Sequence, residues 1–264
     1  MEHTHVLDVA AVIPTCRRPA LLLRALRSIA AQEARPAEVV IVNDGPPADL
    51  PAIHSAVGES GCSRVVVVAS THASGPSAAR NAGAARARGT WLAFLDDDDE
   101  WLPAYLRVVM ARVEAHGLDV VCTNLLYHYD DGSERPGRRV FDALAPEAFL
   151  TRNPGLIGSN LVVRRSLFAD VGGFDESLLC VEDMDFGIRL SLHGGVRYAP
   201  TRQWLVRHHH HAGPRLCTPR TEPMRTGVRR FFDLHASRMT PAQREEYRRT
   251  MCRVWGIDER GELV

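Results

Sequence analysis

Four aspartates in a row, Asp96, Asp97, Asp98 and Asp99, follow the apolar run Trp91-Leu92-Ala93-Phe94-Leu95. Such a run reads as a buried strand. Unpaired carboxylates cannot continue into a core, so the acids belong at the rim where the strand ends. In open α/β sheets the crevice beyond the carboxyl ends of the strands is where ligands bind. Hard oxygen ligands there suit Mg²⁺ or Mn²⁺, an ion that fills its remaining positions from substrate phosphates. Standing alone, the run also reads as a solvated acidic turn. A second acid, Asp44 in Asn43-Asp44-Gly45, closes another apolar run. A third, Asp183, is either a first-turn acid favoured by a helix dipole or a general base. Arg80 is a surface charge or part of the same site. In an extended segment containing His208, His209, His210 and His211, alternate rings share a face, so His209 and His211 both look at a metal or neither does.

The elements that must position these groups alternate in type. Residues 6–15 read as a strand stopped by Pro14, residues 19–32 as a covering helix with Leu22, Leu26 and Ile29 on one side, and residues 39–42 as the next strand. Residues 64–69 form a third strand, and Pro76 opens a small-faced helix to about Arg88. After the strand over residues 91–95, Pro103 starts a helix towards His116, and residues 119–124 make a further strand. The alternation predicts an α/β fold with a parallel sheet and right-handed crossovers. Residues 127–139 read as a hairpin or loop, assigned to acceptor recognition. A strand is expected over residues 158–165, with Ser166 capping a short helix. A helix from Glu182 carries Asp185 and Arg189 four apart as a surface bridge. Two short strands at 196–200 and 203–207 and two amphipathic helices after Glu222 complete the chain.

Composition limits the chemistry. The chain has 264 residues, 45% hydrophobic and 24% charged, with a formal net charge of zero. That balance offers no electrostatic footprint for nucleic acid. All 32 basic residues are arginine. Without lysine, Schiff-base enzymes, Walker-type NTPases and ordinary protein kinases are excluded. No GxGxxG fingerprint is present. The six cysteines form no CxxC pair and read as small core hydrophobes. No signal peptide and no apolar run of roughly 18 residues appears. The expected location is cytoplasmic or peripheral to the membrane, and the tail is expected to pack on the domain or on a second copy of the chain.

Several stretches together resemble the family 2 glycosyltransferases of the GT-A fold. They are Ala11-Val12-Ile13-Pro14-Thr15, Val40-Ile41-Val42-Asn43-Asp44-Gly45, the Gly75 to Gly83 segment GPSAARNAG, Phe94-Leu95-Asp96-Asp97-Asp98-Asp99, Gly172-Gly173-Phe174-Asp175-Glu176 and Glu182-Asp183. The resemblance covers most of the chain. It implies a Rossmann-like domain over residues 1–215 with a mostly parallel central sheet, and a helical extension over 216–264. A nucleotide-sugar-binding half covers about 6–115 and an acceptor-binding half about 116–215. The implied reaction is inverting transfer from a nucleoside diphosphate sugar, with UDP favoured, to an acceptor hydroxyl of unknown class. By the same resemblance Pro14, Thr15, Asp44, Arg80, Asp96 and Asp97 bind the donor, with Asp44 and Arg80 reading uracil. Asp98 ligates Mn²⁺ or Mg²⁺, with His209 favoured over His211 as its companion. Asp183 is the base, and Glu182, Ser159 and Asn160 face the acceptor. The alternatives are a non-catalytic nucleotide-sugar-binding module and a metal-dependent nucleotidyltransferase or phosphohydrolase.

Overall fold

The computed structural model describes residues 6–58, 62–69, 75–210 and 217–258. Strands β1 (Val6–Thr15), β2 (Arg35–Asn43), β3 (Arg64–Ala69) and β4 (Trp91–Phe94) lie parallel in the order β3-β2-β1-β4. The sheet continues through β5 (Asp99–Trp101), β6 (Val120–Tyr129), β7 (Glu134–Pro136), β8 (Leu161–Arg164) and β9 (Tyr198–His210), but in mixed sense. β8 runs antiparallel between β4 and β6, while β9 pairs parallel with β6 and antiparallel with β5. The parallel expectation therefore holds for the first half, where a crossover helix joins each parallel strand to the next. It gives way to a mixed sheet in the second, where β7 simply folds back on β6 as a hairpin.

Helices cover both faces. They are α1 (Pro19–Ala30), α2 (Leu50–Gly58), α3 (Gly75–Arg86), α4 (Tyr105–His116), α5 (Pro146–Phe149), α6 (Arg165–Asp170), α7 (Glu182–Leu192), α8 (Glu222–His235) and α9 (Pro241–Thr250). The period-2 alternation of β1 sorts its side chains between two cores. Val9, Ala11 and Ile13 pack with Leu22, Leu26 and Ile29 of α1 and with α4, while Ala10 and Val12 face the core that holds α3 and α5 to α9. Helix α3 lies close to the sheet because Gly83 sits against Val12, with no room there for a Cβ.

Three local expectations are corrected. Ser166 lies inside α6, whose N-cap is Arg164. The two short strands expected at 196–207 are one strand, β9, which passes Arg202 at φ +60° and shifts register against β6. Asp185 and Arg189 do pair, but not on the surface. Asp185 is 2% exposed and also meets His235 Nε2 at 2.9 Å, so it ties α7 to α8. The C-terminal helices pack on the domain, with Val228, Phe231 and Tyr247 in the same core as Phe174 and Phe186.

Candidate active site

β1 and β2 end side by side, Thr15 opposite Asn43, and the Asp44 N–H donates to the Thr15 carbonyl at 2.8 Å. That pairing delivers Pro14, Thr15 and Asp44 to the wall of a cavity of about 1310 Å³, beyond the carboxyl ends of the parallel strands. Asp96, Asp97 and Asp98 line it from the end of β4, and Arg80, Glu182 and Asp183 from α3 and α7.

The acidic run is divided by its partners. Thr15 Oγ1 donates to Asp97 at 2.7 Å, and Arg18 reaches Asp97 at 3.3 Å and Asp98 at 2.9 Å. Burial lifts the Asp97 pKa to about 6, against the pull of Arg18 and Thr15. Arg24 holds the Asp98 carbonyl at 2.7 Å. Asp99 turns inward as the first residue of β5, opposite His208, and is 1% exposed. Burial pushes its pKa up, but His208, the Ser159 hydroxyl and the His209 N–H outweigh it and hold the carboxyl below its ordinary value. Ser159 is the clamp. Its Oγ accepts from the Asp96 N–H at 3.1 Å and donates to Asp99 Oδ2 at 2.5 Å, and Trp101 Nε1 donates to its carbonyl at 2.9 Å.

Arg80 is almost fully buried and forks between two carboxylates, Asp96 at 2.6 Å and Glu182 at 2.9 Å. Its guanidinium also lies over the Phe174 ring, 5.3 Å from the centroid. Asp183, the neighbour of Glu182, is different: its Oδ1 is buried and has no hydrogen-bond partner among the described residues. Burial first, then the charges of Glu182 and Asp96, drive its pKa well above the usual carboxylate range, with Arg80 opposing. Just upstream, Val181 has φ +60°, a costly backbone state for a β-branched residue that sets how α7 enters the cavity. A carboxyl held proton-hungry next to a cavity is suited to accept a proton.

Several expected positions fall elsewhere. Pro14, Thr15, Asp44, Arg80, Asp96, Asp97, Asp98, Glu182 and Asp183 are brought together on the one cavity. Ser159 and Asn160 are fully buried and are not among the described residues that line the cavity. Asn160 spends its amide on the carbonyls of Thr123 and Gly155 and on the Ile157 N–H. Arg80 lines the cavity, and its hydrogen bonds go to Asp96 and Glu182. His209 points away from the cavity, its Nε2 2.9 Å from Glu100 Oε2, and holds the Glu100 pKa at about 2. The ring at the cavity wall is His208, 3.0 Å from Asp99. His211 lies outside the described residues. Sequence reasoning missed Arg18 and His208. Arg18 had a signal in its position just past the rim of β1. The facing of the histidines did not, since alternation gives relative but not absolute orientation.

A mixed α/β sheet with helices on both faces, and a cavity at the carboxyl ends of its parallel strands ringed by carboxylates from three segments, is the arrangement in which α/β folds place their ligand sites. The particular family follows from comparison: residues 10–172 match the model for glycosyl transferase family 2, and the chain belongs to that family. It is 35% identical over 158 residues to the succinoglycan biosynthesis protein ExoO of Rhizobium meliloti (strain 1021), covering 60% of this chain and 44% of ExoO. It is 29% identical over 214 residues to the pre-mycofactocin glycosyltransferase of Mycobacterium tuberculosis (strain CDC 1551 / Oshkosh), covering 77% of this chain and 43% of that protein. The chain thus spans less than half the length of these two relatives. A crystal structure of S. aureus TarS 1–349 in complex with UDP-GlcNAc shares the fold, with a TM-score of 0.68 at 18% identity over 96% of this chain and 74% of that one. The GT-A architecture is therefore that of the present chain. Among the described residues no helix is long and apolar enough to cross a membrane.

Proposed function

We propose that this domain moves a glycosyl group from a nucleoside diphosphate sugar, with UDP the favoured nucleotide, to an acceptor hydroxyl with inversion at the anomeric carbon. The observation that carries the reading is the Asp183 carboxyl, whose buried Oδ1 has no partner among the described residues and which lines the same cavity as Asp44, Thr15 and Asp96 to Asp98. Pro14, Thr15 and Asp44 hold the nucleotide. Asp183 takes the proton from the acceptor oxygen as that oxygen forms the bond to the anomeric carbon, and the bond to the diphosphate breaks on the opposite face. A general base of this kind contributes about 10²–10⁴-fold. The diphosphate leaves as an anion, so one protein carboxylate suffices, in contrast to glycoside hydrolysis, where the leaving alcohol must be protonated.

A Mg²⁺ or Mn²⁺ ion fits the oxygen donors present. The Asp98 and Asp96 carboxylates reach the cavity with side chains 21% and 26% exposed. Among the described residues no three His, Cys, Asp or Glu side chains converge on a metal position. An ion here is therefore one held by one or two carboxylates and completed by phosphate and water. When bound, it supplies charge neutralisation for the diphosphate.

The reading is tested by titrating the protein with UDP and, separately, GDP, with and without Mn²⁺. Metal-assisted binding that prefers UDP and is lost in Asp44→Ala and Asp98→Ala supports the donor half, and a protein that binds neither nucleotide overturns it. Transfer that survives in Asp183→Asn overturns the choice of base.

A further inference from the structure

Five arginines line the cavity, and they fall into two groups. Arg18 and Arg80 are matched by carboxylates, Arg18 by Asp97 and Asp98 and Arg80 by Asp96 and Glu182. Arg138, Arg139 and Arg152 are exposed, and among the described residues none of them pairs with a carboxylate. All three belong to the second half of the chain, on the stretch that leaves the β6–β7 hairpin and on the loop after α5.

The backbone of the first two is fixed. The Leu125 N–H donates to the Arg138 carbonyl at 3.1 Å, and the Val140 N–H to Asn124 Oδ1 at 3.0 Å, so residues 138–140 are fastened to β6. Arg138 Nη1 donates to the Asn153 carbonyl at 3.2 Å and joins the two segments, while the Arg139 guanidinium lies over Trp204 at 5.5 Å. Three guanidinium groups without a carboxylate partner on the cavity lining raise the local potential and draw anions in. The planar fork of each suits phosphate or carboxylate. The proposed reading assigns the donor's diphosphate to the aspartates that follow β4, so these arginines are left for another group.

We propose that the acceptor carries an anionic group, phosphate or carboxylate, which Arg138, Arg139 and Arg152 hold while its hydroxyl is presented to Asp183. The inference rests on the reading of the cavity as a two-substrate site.

The experiment uses charged probes with neutral counterparts, glycerol phosphate with glycerol and glucuronate with glucose, titrated calorimetrically into the protein with and without saturating UDP. In the wild-type protein one charged probe is expected to bind about tenfold tighter than its neutral counterpart, as charge-assisted bonds to guanidinium predict. Whichever pair shows the larger gap assigns phosphate or carboxylate. In the combined Arg138→Ala, Arg139→Ala, Arg152→Ala variant the gap closes while UDP affinity is unchanged, which also reports that the variant is folded. Equal binding of charged and neutral probes overturns the proposal, as does a gap that persists in the variant. A parallel loss of UDP affinity also overturns it and assigns the arginines to the donor. Failure of the wild-type protein to bind UDP is separate: it marks failure of the donor reading, while the probe gap measured without UDP still decides the arginines.

Discussion

Arg80 Nη1 donates to Glu182 Oε1 at 2.9 Å and so joins α3 to the first residue of α7 across 102 positions of sequence. The same guanidinium holds Asp96 at 2.6 Å through Nη2. One buried cation therefore sets the distance between the acid run after β4 and the residue beside Asp183. It also neutralises two of the charges that crowd Asp183, and its own pKa is raised further by them although burial works the other way. The two halves of the domain meet at this fork.

Replacing Arg80 by methionine keeps the volume and removes the charge. Asp96 and Glu182 are then left near each other without a cation, and breaking a buried pair in this way costs about 3–5 kcal/mol. Urea unfolding of Arg80→Met is expected to show a midpoint lowered by a corresponding amount at unchanged slope. An unchanged midpoint would mean that the fork contributes nothing to the fold.

Asp183 carries the pH prediction. Its pKa lies well above the ordinary carboxylate value because burial, Glu182 and Asp96 all disfavour the charge. A base acts only when deprotonated, so kcat/KM is expected to rise with pH through an ionisation above the usual carboxylate range and to level off beyond it. Asp183→Asn removes that limb, lowers kcat by about 10²–10⁴-fold and leaves UDP binding intact. A wild-type profile already flat from pH 5 upward counts against the assignment.

Asp119 makes the opposite case. Arg197, despite some burial, and then Arg164 hold its pKa at about 2, below the ordinary 3.8. The folded form thus favours the carboxylate. The resulting stability is fully present above the unfolded value and is lost as pH falls through the folded one. Because Arg197 is largely exposed, screening keeps the effect near that of a surface network, about 1 kcal/mol. Asp119→Asn should melt below the wild type at pH 7, and the two should converge near pH 2.

The convergence of Thr15, Asp44, Asp96 and Asp183 on one cavity was legible because each stands at the end of a strand, or the start of a helix, whose apolar run is local information. Thr15, Asp44 and Asp96 follow directly from β1, β2 and β4, and Asp183 from the start of α7. What escaped depends on pairing between distant segments. Asp99 looks like its three neighbours in sequence, yet β9 captures it through His208 and turns it into a buried ligand of Ser159. The same register decides that His208 and not His209 borders the cavity, and no local pattern fixes a register between strands 109 residues apart. Ser159 and Asn160 were placed at the acceptor by the resemblance, which carries no information on their hydrogen bonds. Here they satisfy the buried backbone groups where β4, β6 and β8 converge.

Gly158 offers the sharpest test of that buried arrangement. A Cβ built on it meets Arg80 Nε at 2.8 Å, Nη2 at 2.9 Å and Cζ at 3.0 Å. The far end of an arginine usually yields to such a contact, but this one is pinned by Asp96 and Glu182 and packed over Phe174. To admit a methyl group, the fork has to release one of its carboxylates. Gly158→Ala is therefore expected to destabilise the protein by about 1–3 kcal/mol, the usual cost of overpacking. Since the released acid lies beside the base or in the acid run, it is also expected to lower transfer. Introduced into Arg80→Met, where no guanidinium obstructs the methyl, the same substitution should cost much less. The coupling in this double-mutant cycle distinguishes a blocked arginine from a glycine needed for its backbone alone, because a backbone requirement would make the two costs add.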